Sequence, residues 1–356
     1  MDWGTVGIDL LKALIVFGAI FQLVPILTWV ERRGSAFIQH RLGPNRVNIK
    51  GIALFGLIQP LADAIKFLWK EDYTPSHAHR NFYLLAPILL LIPASMTFAV
   101  IPFGDVLVVG GRTIDLQVAD LNVGILYIFA IASLSVYGIV LAGWASNNKY
   151  SLLGGVRSSA QMISYELALG LSVVGILMIY GAIRLDEIVQ GQGELLWGWI
   201  PKWGVVTQPL AFFLFLAATF AESNRLPFDL PEAESELVVG YHTEYSAMRF
   251  ALFMMTEYMA MITGSMLIVT LFFGGWQIPW ITSEALREMV GPIPAALLQV
   301  GAFTTKTLFF LWLFVWVRWT LPRFRYDQLM RLGWKGILPL ALLNLFVTGA
   351  ILYAIR

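Results

Sequence analysis

Residues 221–246 read AESNRLPFDLPEAESELVVGYHTEYS and lie between two strongly apolar runs. Six carboxylates (Glu222, Asp229, Glu232, Glu234, Glu236, Glu244) stand there against only Arg225 and His242. A plain solvated loop is one reading of such a charge run. Two features argue for a folded, partly buried segment. Leu226, Phe228, Leu230, Leu237, Val238, Val239 and Tyr241 are interleaved with the acids, and Pro227 and Pro231 restrict the backbone. Like charges crowded beside a bilayer suit the handling of cations.

Outward from this stretch the chain is 58% hydrophobic and only 13% charged over 356 residues, against roughly a quarter charged in a soluble domain. Eight apolar segments read as membrane helices, at about 6–30, 82–102, 123–145, 158–180, 208–223, 249–274, 296–317 and 336–355. Most have the roughly 20 residues a bilayer core requires. The expected fold is an all-α integral membrane protein of about eight transmembrane helices, in one membrane domain spanning 1–356. The first segment follows Asp2 and contains Lys12 and Gln22, so it reads as a span rather than a signal peptide. Seventeen Lys and Arg residues fall in the loops on one side and five on the other. The positive-inside rule puts the acidic stretch on the cytoplasmic face and both termini outside.

Composition excludes some chemistry. There is no cysteine, hence no disulfide and no thiolate ligand for zinc or an iron–sulfur cluster. His40, His77, His79 and His242 all lie outside the apolar runs, so paired histidines cannot hold a haem inside the membrane, and no metal site is expected. A net charge of +1 gives no bulk field for nucleic acid.

Between the first two spans, residues 31–71 carry ERRGSAFIQHRLGPNRVNIKGIALFGLIQPLADAIKFLWKE. The second half is apolar but interrupted by Gln59, Pro60, Asp63, Lys66 and Lys70, which predicts an interfacial amphipathic helical segment. Asp63 and Lys66, one turn apart, are placed to pair. Arg32, Arg33, Arg41 and Arg46 form a basic cluster suited to anionic lipid or to a polar ligand. Inside the spans, an ionisable group costs about 2.5 to 3.5 kcal/mol at mid-membrane. Glu166 and Glu257 each stand eight residues from the cytoplasmic start of their segments, about 12 Å deep, a depth at which they could meet. Glu222 ends a short fifth segment. Three such carboxylates on successive helices look like a proton path, with hydrogen-bonded structural roles as the plain alternative.

The motifs together resemble a known family, the H-type membrane subunit of NADH:quinone oxidoreductase (respiratory complex I). The likeness rests on ERR with QHRLGPNR and LIQPLADAIK, QMISYEL at 161–167, the acidic stretch continued to 253, and LPRFRYDQLMRLGWK at 321–335. It covers nearly the whole chain. Ala64, Ser223, Val239, Ala247 and Trp319 depart from the family's usual residues without removing an ionisable group. The resemblance implies a subunit in the bacterial inner membrane that walls a quinone chamber. It implies hydrophilic iron–sulfur and quinone-site subunits, with FMN and clusters, on the cytoplasmic side, and antiporter-like and small membrane subunits beside it. Arg32, Arg33, Arg41, Asp63, Lys66 and Arg225 would serve the quinone. Glu222, Glu232, Glu234, Glu236 and Glu244 would lie at the inner end, and Glu166 and Glu257 would continue a proton relay. The homologous wall subunit of a membrane-bound hydrogenase or of another quinone- or phenazine-linked complex is a related reading. A standalone ion-coupled transporter is another, although no repeated halves are visible. An assembly protein would have no use for mid-membrane acids.

Overall fold

A computed structural model describes residues 3–109, 112–231 and 234–355. The protein is an all-α multi-pass membrane protein, with seven helices among the described residues long and apolar enough to span a bilayer. They are α1 (Trp3–Ile38), α3 (Arg80–Met96, extended by a 3₁₀ turn), α4 (Gly124–Ala145), α5 (Lys149–Tyr180), α10 (Ala247–Phe272), α12 (Pro292–Thr320) and α14 (Leu338–Ile355). A short helix α13 (Tyr326–Leu332) runs into α14 through a π-helical turn, Gly333–Ile337. The remaining expected segment is α8 (Pro209–Glu222), whose 14 residues reach about 21 Å, short of the roughly 30 Å hydrocarbon core. Seven full-length helices and one short one among the described residues thus fit the expected count of about eight, with the fifth segment short as its sequence indicates.

The connecting pieces are small. The predicted interfacial segment contains α2 (Gln59–Trp69), begun by Pro60 in its first turn, with Leu61, Leu68 and Trp69 exposed on the isolated chain. Helices α6 (Leu185–Gln192), α7 (Gly204–Thr207) and α11 (Ser283–Val290), with the antiparallel pairs β1 (Val106–Val109)/β2 (Arg112–Asp115) and β3 (Leu195–Leu196)/β4 (Ile200–Pro201), lie in the loops opposite α2. One further turn of helix, α9 (Glu234–Leu237), falls within the acidic stretch.

Two helices overrun their apolar runs. Asn148 caps α5 by accepting from the Tyr150 N–H at 2.9 Å, which starts that helix nine residues ahead of the apolar segment. Helix α1 continues past its apolar run to Ile38, and its 36 residues measure about 54 Å. Helix α10 is the most buried of the long helices and packs on α3, α8 and α12, while α1 packs on α12 and α5 on α4, α8 and α14. Small residues allow the tightest approaches. A Cβ on Gly154 of α5 would stand 2.7 Å from the Tyr241 backbone nitrogen, so glycine there lets the acidic stretch lie against α5.

Candidate functional site

Arg225 follows α8 and is 3% exposed. Its Nη1 donates to Glu31 Oε2 at 3.0 Å, and its Nε lies 2.6 Å from Glu257 Oε1. The guanidinium sits over the Tyr258 ring, 4.3 Å from its centroid. Tyr258 donates its hydroxyl to the same Glu31 oxygen at 2.7 Å, and Arg318 reaches the other, Oε1, at 2.5 Å. Two carboxylates and two guanidiniums from α1, the post-α8 segment, α10 and α12 thus form one neutral cluster. Such groups cannot stay buried unless paired. Alongside it Asp229 pairs with Arg323 at 2.8 Å. Burial pushes the Asp229 carboxyl up to about 6, against the opposing pull of Arg323.

The sequence identifies Arg225 and Glu257 as separate candidates, and the structure joins them. It also adds Glu31, Tyr258, Arg318, Asp229 and Arg323, which sequence reasoning passed over as site residues. A signal was present: Glu31 precedes ERR's two arginines at the very end of an apolar run, and Arg318 ends another. Neither position looks mid-membrane when helix ends are drawn from hydropathy.

The other carboxylates divide into two groups. Glu166 on α5 accepts a short hydrogen bond from Ser133 of α4 and is within electrostatic reach of Glu222. Glu166 stands 17 residues after Lys149, where α5 begins, and Glu257 ten after Ala247, where α10 begins. Among the described residues Glu222 makes no hydrogen bond or ion pair. Glu236 and Glu244 are instead tied to the start of α5, Glu236 to Arg157 at 2.6 Å and Glu244 to Asn148 Nδ2 at 2.6 Å. Glu232 lies outside the described residues, and of Glu234 only its place at the head of α9 is described. Within the same stretch His242 is 1% exposed among the rings of Tyr241, Phe250 and Phe253, and burial pushes its imidazole down to about 4.

The basic cluster sits at the C-terminal end of α1 and just beyond it. Arg32 holds Asp63 of α2 at 2.6 Å, and Gln59 donates to the same carboxylate at 3.1 Å. Lys66 is a looser partner at 3.8 Å, so the expected Asp63–Lys66 pair is secondary to Arg32. Arg33 donates twice to the Phe55 carbonyl, Nε at 3.0 Å and Nη2 at 2.5 Å. These contacts hold α2 beside α1. Between α1 and α12 they leave a cavity of about 480 Å³ lined by Trp29, Val30, Arg33, Phe37, Arg41 and Trp312. A neighbouring opening shares Arg41 and adds Arg46 and Gln59. Aromatic walls with guanidinium donors at the rim suit a planar ring bearing oxygen acceptors and an apolar appendage. Among the described residues no three His, Asp or Glu side chains converge as a metal site.

A family model described as NADH dehydrogenase matches residues 11–349. The chain is 48% identical over 345 residues to an H subunit of NADH-quinone oxidoreductase from Cytophaga hutchinsonii, covering 96% of each chain. It is 50% identical over 349 residues to the H subunit of Leptospira biflexa (95% and 93% covered). To an H subunit of Geobacter metallireducens it is 50% identical over 347 residues (98% and 97%). The chain belongs to the H-subunit family of NADH-quinone oxidoreductase. It is a component of an enzyme, and the resemblance read from its motifs holds over nearly its full length. Membership leaves no place for the standalone transporter.

Proposed function

We propose that the chain forms the membrane wall of a quinone-binding chamber in a proton-translocating NADH:quinone oxidoreductase, and that its buried carboxylates begin the proton relay. The relatives are named as subunits of an NADH-quinone oxidoreductase, and what they are named for is carried over here. The observation that bears most weight is the neutral cluster around Arg225. Through Glu31 it touches the helix that carries the arginine-rimmed cavity, and through Glu257 it touches the helix beside the Glu222–Glu166 pair. A charge change on either side is felt at a shared guanidinium.

In this reading Arg33 and Arg41 meet the quinone head at the entrance, and Arg32, Asp63 and Lys66 brace α2 as its lip. Arg225 joins entrance to relay. Glu166, Glu222 and Glu257 pass protons, and Glu232, Glu234, Glu236 and Glu244 form the cytoplasmic acidic surface. Quinone is the substrate. It accepts two electrons from clusters in the hydrophilic subunits, since a chain without cysteine has no thiolates for a cluster, and takes up two protons. Partners are those cytoplasmic iron–sulfur and quinone-site subunits, and the antiporter-like and small membrane subunits. The cytoplasmic face is that of the acidic stretch, with both termini on the other side of the bacterial membrane.

The test is Arg33→Ala and Asp63→Ala in the assembled complex. NADH:quinone activity should drop with the Michaelis constant for quinone raised, while NADH oxidation by a water-soluble acceptor persists. Unchanged quinone kinetics in both variants would refute the chamber.

A further inference from the structure

The face of α1 from Lys12 to Leu23 stands off from the matching face of α12, Val300 to Leu311, and leaves an apolar slot of about 420 Å³ between them. The two helices pack closely near their other ends, where a Cβ on Gly34 would stand 3.0 Å from the Val315 side chain. At 1.5 Å per residue the slot runs about 16 Å along both helices. That is about half of the roughly 30 Å hydrocarbon core, the depth of one leaflet. Buried Ile20, Met266, Phe303, Thr307 and Leu311 form its floor, and exposed Ile15 and Leu308 form its lips.

Lys12 and Glu31 bracket the uncharged run 13–30 of α1, about 27 Å of helix. Lys12 therefore stands at the headgroup level of the leaflet opposite the basic cluster, at the mouth of the slot. Its ammonium donates to Gln117 O at 3.0 Å and pairs with Asp9 at 2.8 Å. An ammonium has three N–H groups, so among the described residues one is left for a ligand. The Asp9 side chain is 55% exposed and keeps lone pairs open beside it. Deeper in, the polar side chains have spent their donors on the protein. Thr304 donates to Val300 O at 2.7 Å, Thr307 to Phe303 O at 2.9 Å, and the Gln117 amide to Val100 O at 2.7 Å and Ala119 O at 3.0 Å. A quinone head, whose two carbonyl oxygens need donors, finds none below Lys12. The slot suits a bare hydrocarbon chain whose polar end stays at the mouth.

We propose that this slot seats one acyl chain of a phospholipid with a primary ammonium headgroup, a phosphatidylethanolamine, in the leaflet opposite the quinone entrance. The adjacent positive and negative groups of Lys12 and Asp9 match the headgroup's phosphate and ammonium in turn. Lys12 donates to the phosphate, and Asp9 accepts from the ammonium. A choline headgroup has no N–H to give Asp9, and a glycerol headgroup has no positive charge to set against it. The site is independent of the quinone and proton readings, since it shares no residue with either.

The test uses the assembled complex in phosphatidylcholine nanodiscs. Phospholipid probes carrying a diazirine midway along one acyl chain, with ethanolamine, choline or glycerol headgroups, are cross-linked by light and the labelled peptides mapped by mass spectrometry. The ethanolamine probe should label the α1 and α12 residues lining the slot about tenfold more than the other two, the worth of roughly one hydrogen bond to a charged group. Lys12→Gln should cut that labelling by a similar factor, and Lys12→Arg should stay close to wild type. Asp9→Asn should erase the preference for ethanolamine over glycerol, a change of selectivity that a merely structural ion pair would not produce. Ala19→Phe, which fills the slot, should abolish labelling there, and if it fails to assemble the three probes on the wild-type complex decide. Equal labelling by all three headgroups, or full labelling in Lys12→Gln, would overturn the headgroup site. Loss of the label on adding quinone would assign the slot to quinone and overturn the lipid.

Discussion

Replacing Arg225 by Met deletes the charge at the centre of the cluster while keeping much of the side-chain volume. Glu31 and Glu257 respond differently. Glu31 retains Arg318 at 2.5 Å and the Tyr258 hydroxyl at 2.7 Å, whereas Glu257 loses the only ion pair it makes among the described residues. At an effective dielectric of about 20, opposite charges about 4 Å apart attract by about 4 kcal/mol. Desolvation offsets much of such a gain while the pair is intact. Removing one partner of a buried pair leaves that offset in place and costs about 3–5 kcal/mol.

The expected outcome is therefore directional. Arg225→Met should lower the yield and thermal stability of the assembled complex, and adding Glu257→Gln should recover most of the loss, since a neutral amide needs no counter-charge. Adding Glu31→Gln instead should recover little and leave Arg318 short of its partner. The measurement is a double-mutant cycle on the melting temperature of the detergent-purified complex. Wild-type stability for Arg225→Met, or equal rescue by both glutamine changes, would refute the assignment of Glu257 as the orphaned charge. Arg225→Lys should fall between, because a single ammonium cannot span both carboxylates as the guanidinium fork does.

In reconstituted vesicles Glu166→Gln, Glu222→Gln and Glu257→Gln should assemble yet lose quinone reduction and proton pumping together, and wild-type values in all three would leave these acids structural. His242 binds protons less readily folded than unfolded, so stability falls as pH drops from about 6.5 to about 4, by about 3 kcal/mol across that window. His242→Phe should flatten this dependence relative to wild type in pH-resolved melting, and identical pH profiles would count against it. Asp229 has the opposite sign: its carboxyl is raised to about 6, so the stability tied to its proton is fully present below about 3.8 and lost as pH rises through 6, and Asp229→Asn should remove that loss in the same melts. Single cysteines at Ser76 and Glu284, both exposed, should label from opposite sides of the membrane, and labelling from one side would break the proposed topology.

The helices were legible because hydropathy over a 20-residue window is a strong signal, and the acidic stretch because charge beside such windows is rare. Helix ends were not. Hydropathy stops where side chains turn polar, but a backbone capped by Asn148 begins well before its apolar run, and α1 continues through Glu31, Arg32 and Arg33 to Ile38. Partners were also out of reach. Sequence spacing suggested Lys66 for Asp63 because i,i+3 neighbours are visible along one helix, whereas the tighter partner, Arg32, comes from 31 residues away.

The overrun of α1 also fixes where its charges point. On a straight helix consecutive residues point about 100° apart, so Glu31 turns inward, 7% exposed, to meet Arg225 and Arg318, while Arg32 turns out to Asp63 and Arg33 to the Phe55 carbonyl. Had α1 ended with its apolar run near residue 30, these three side chains would sit on a loop with no fixed relative direction. A rigid helix that outlasts its hydrophobic segment couples the buried cluster to the lip of the arginine-rimmed cavity within one turn, about 5.4 Å of axis. Movement of α2 against α1 must then either break the Arg32–Asp63 pair or pull on the helix that carries Glu31, and Glu31 cannot shift without disturbing Arg225 and, through it, Glu257.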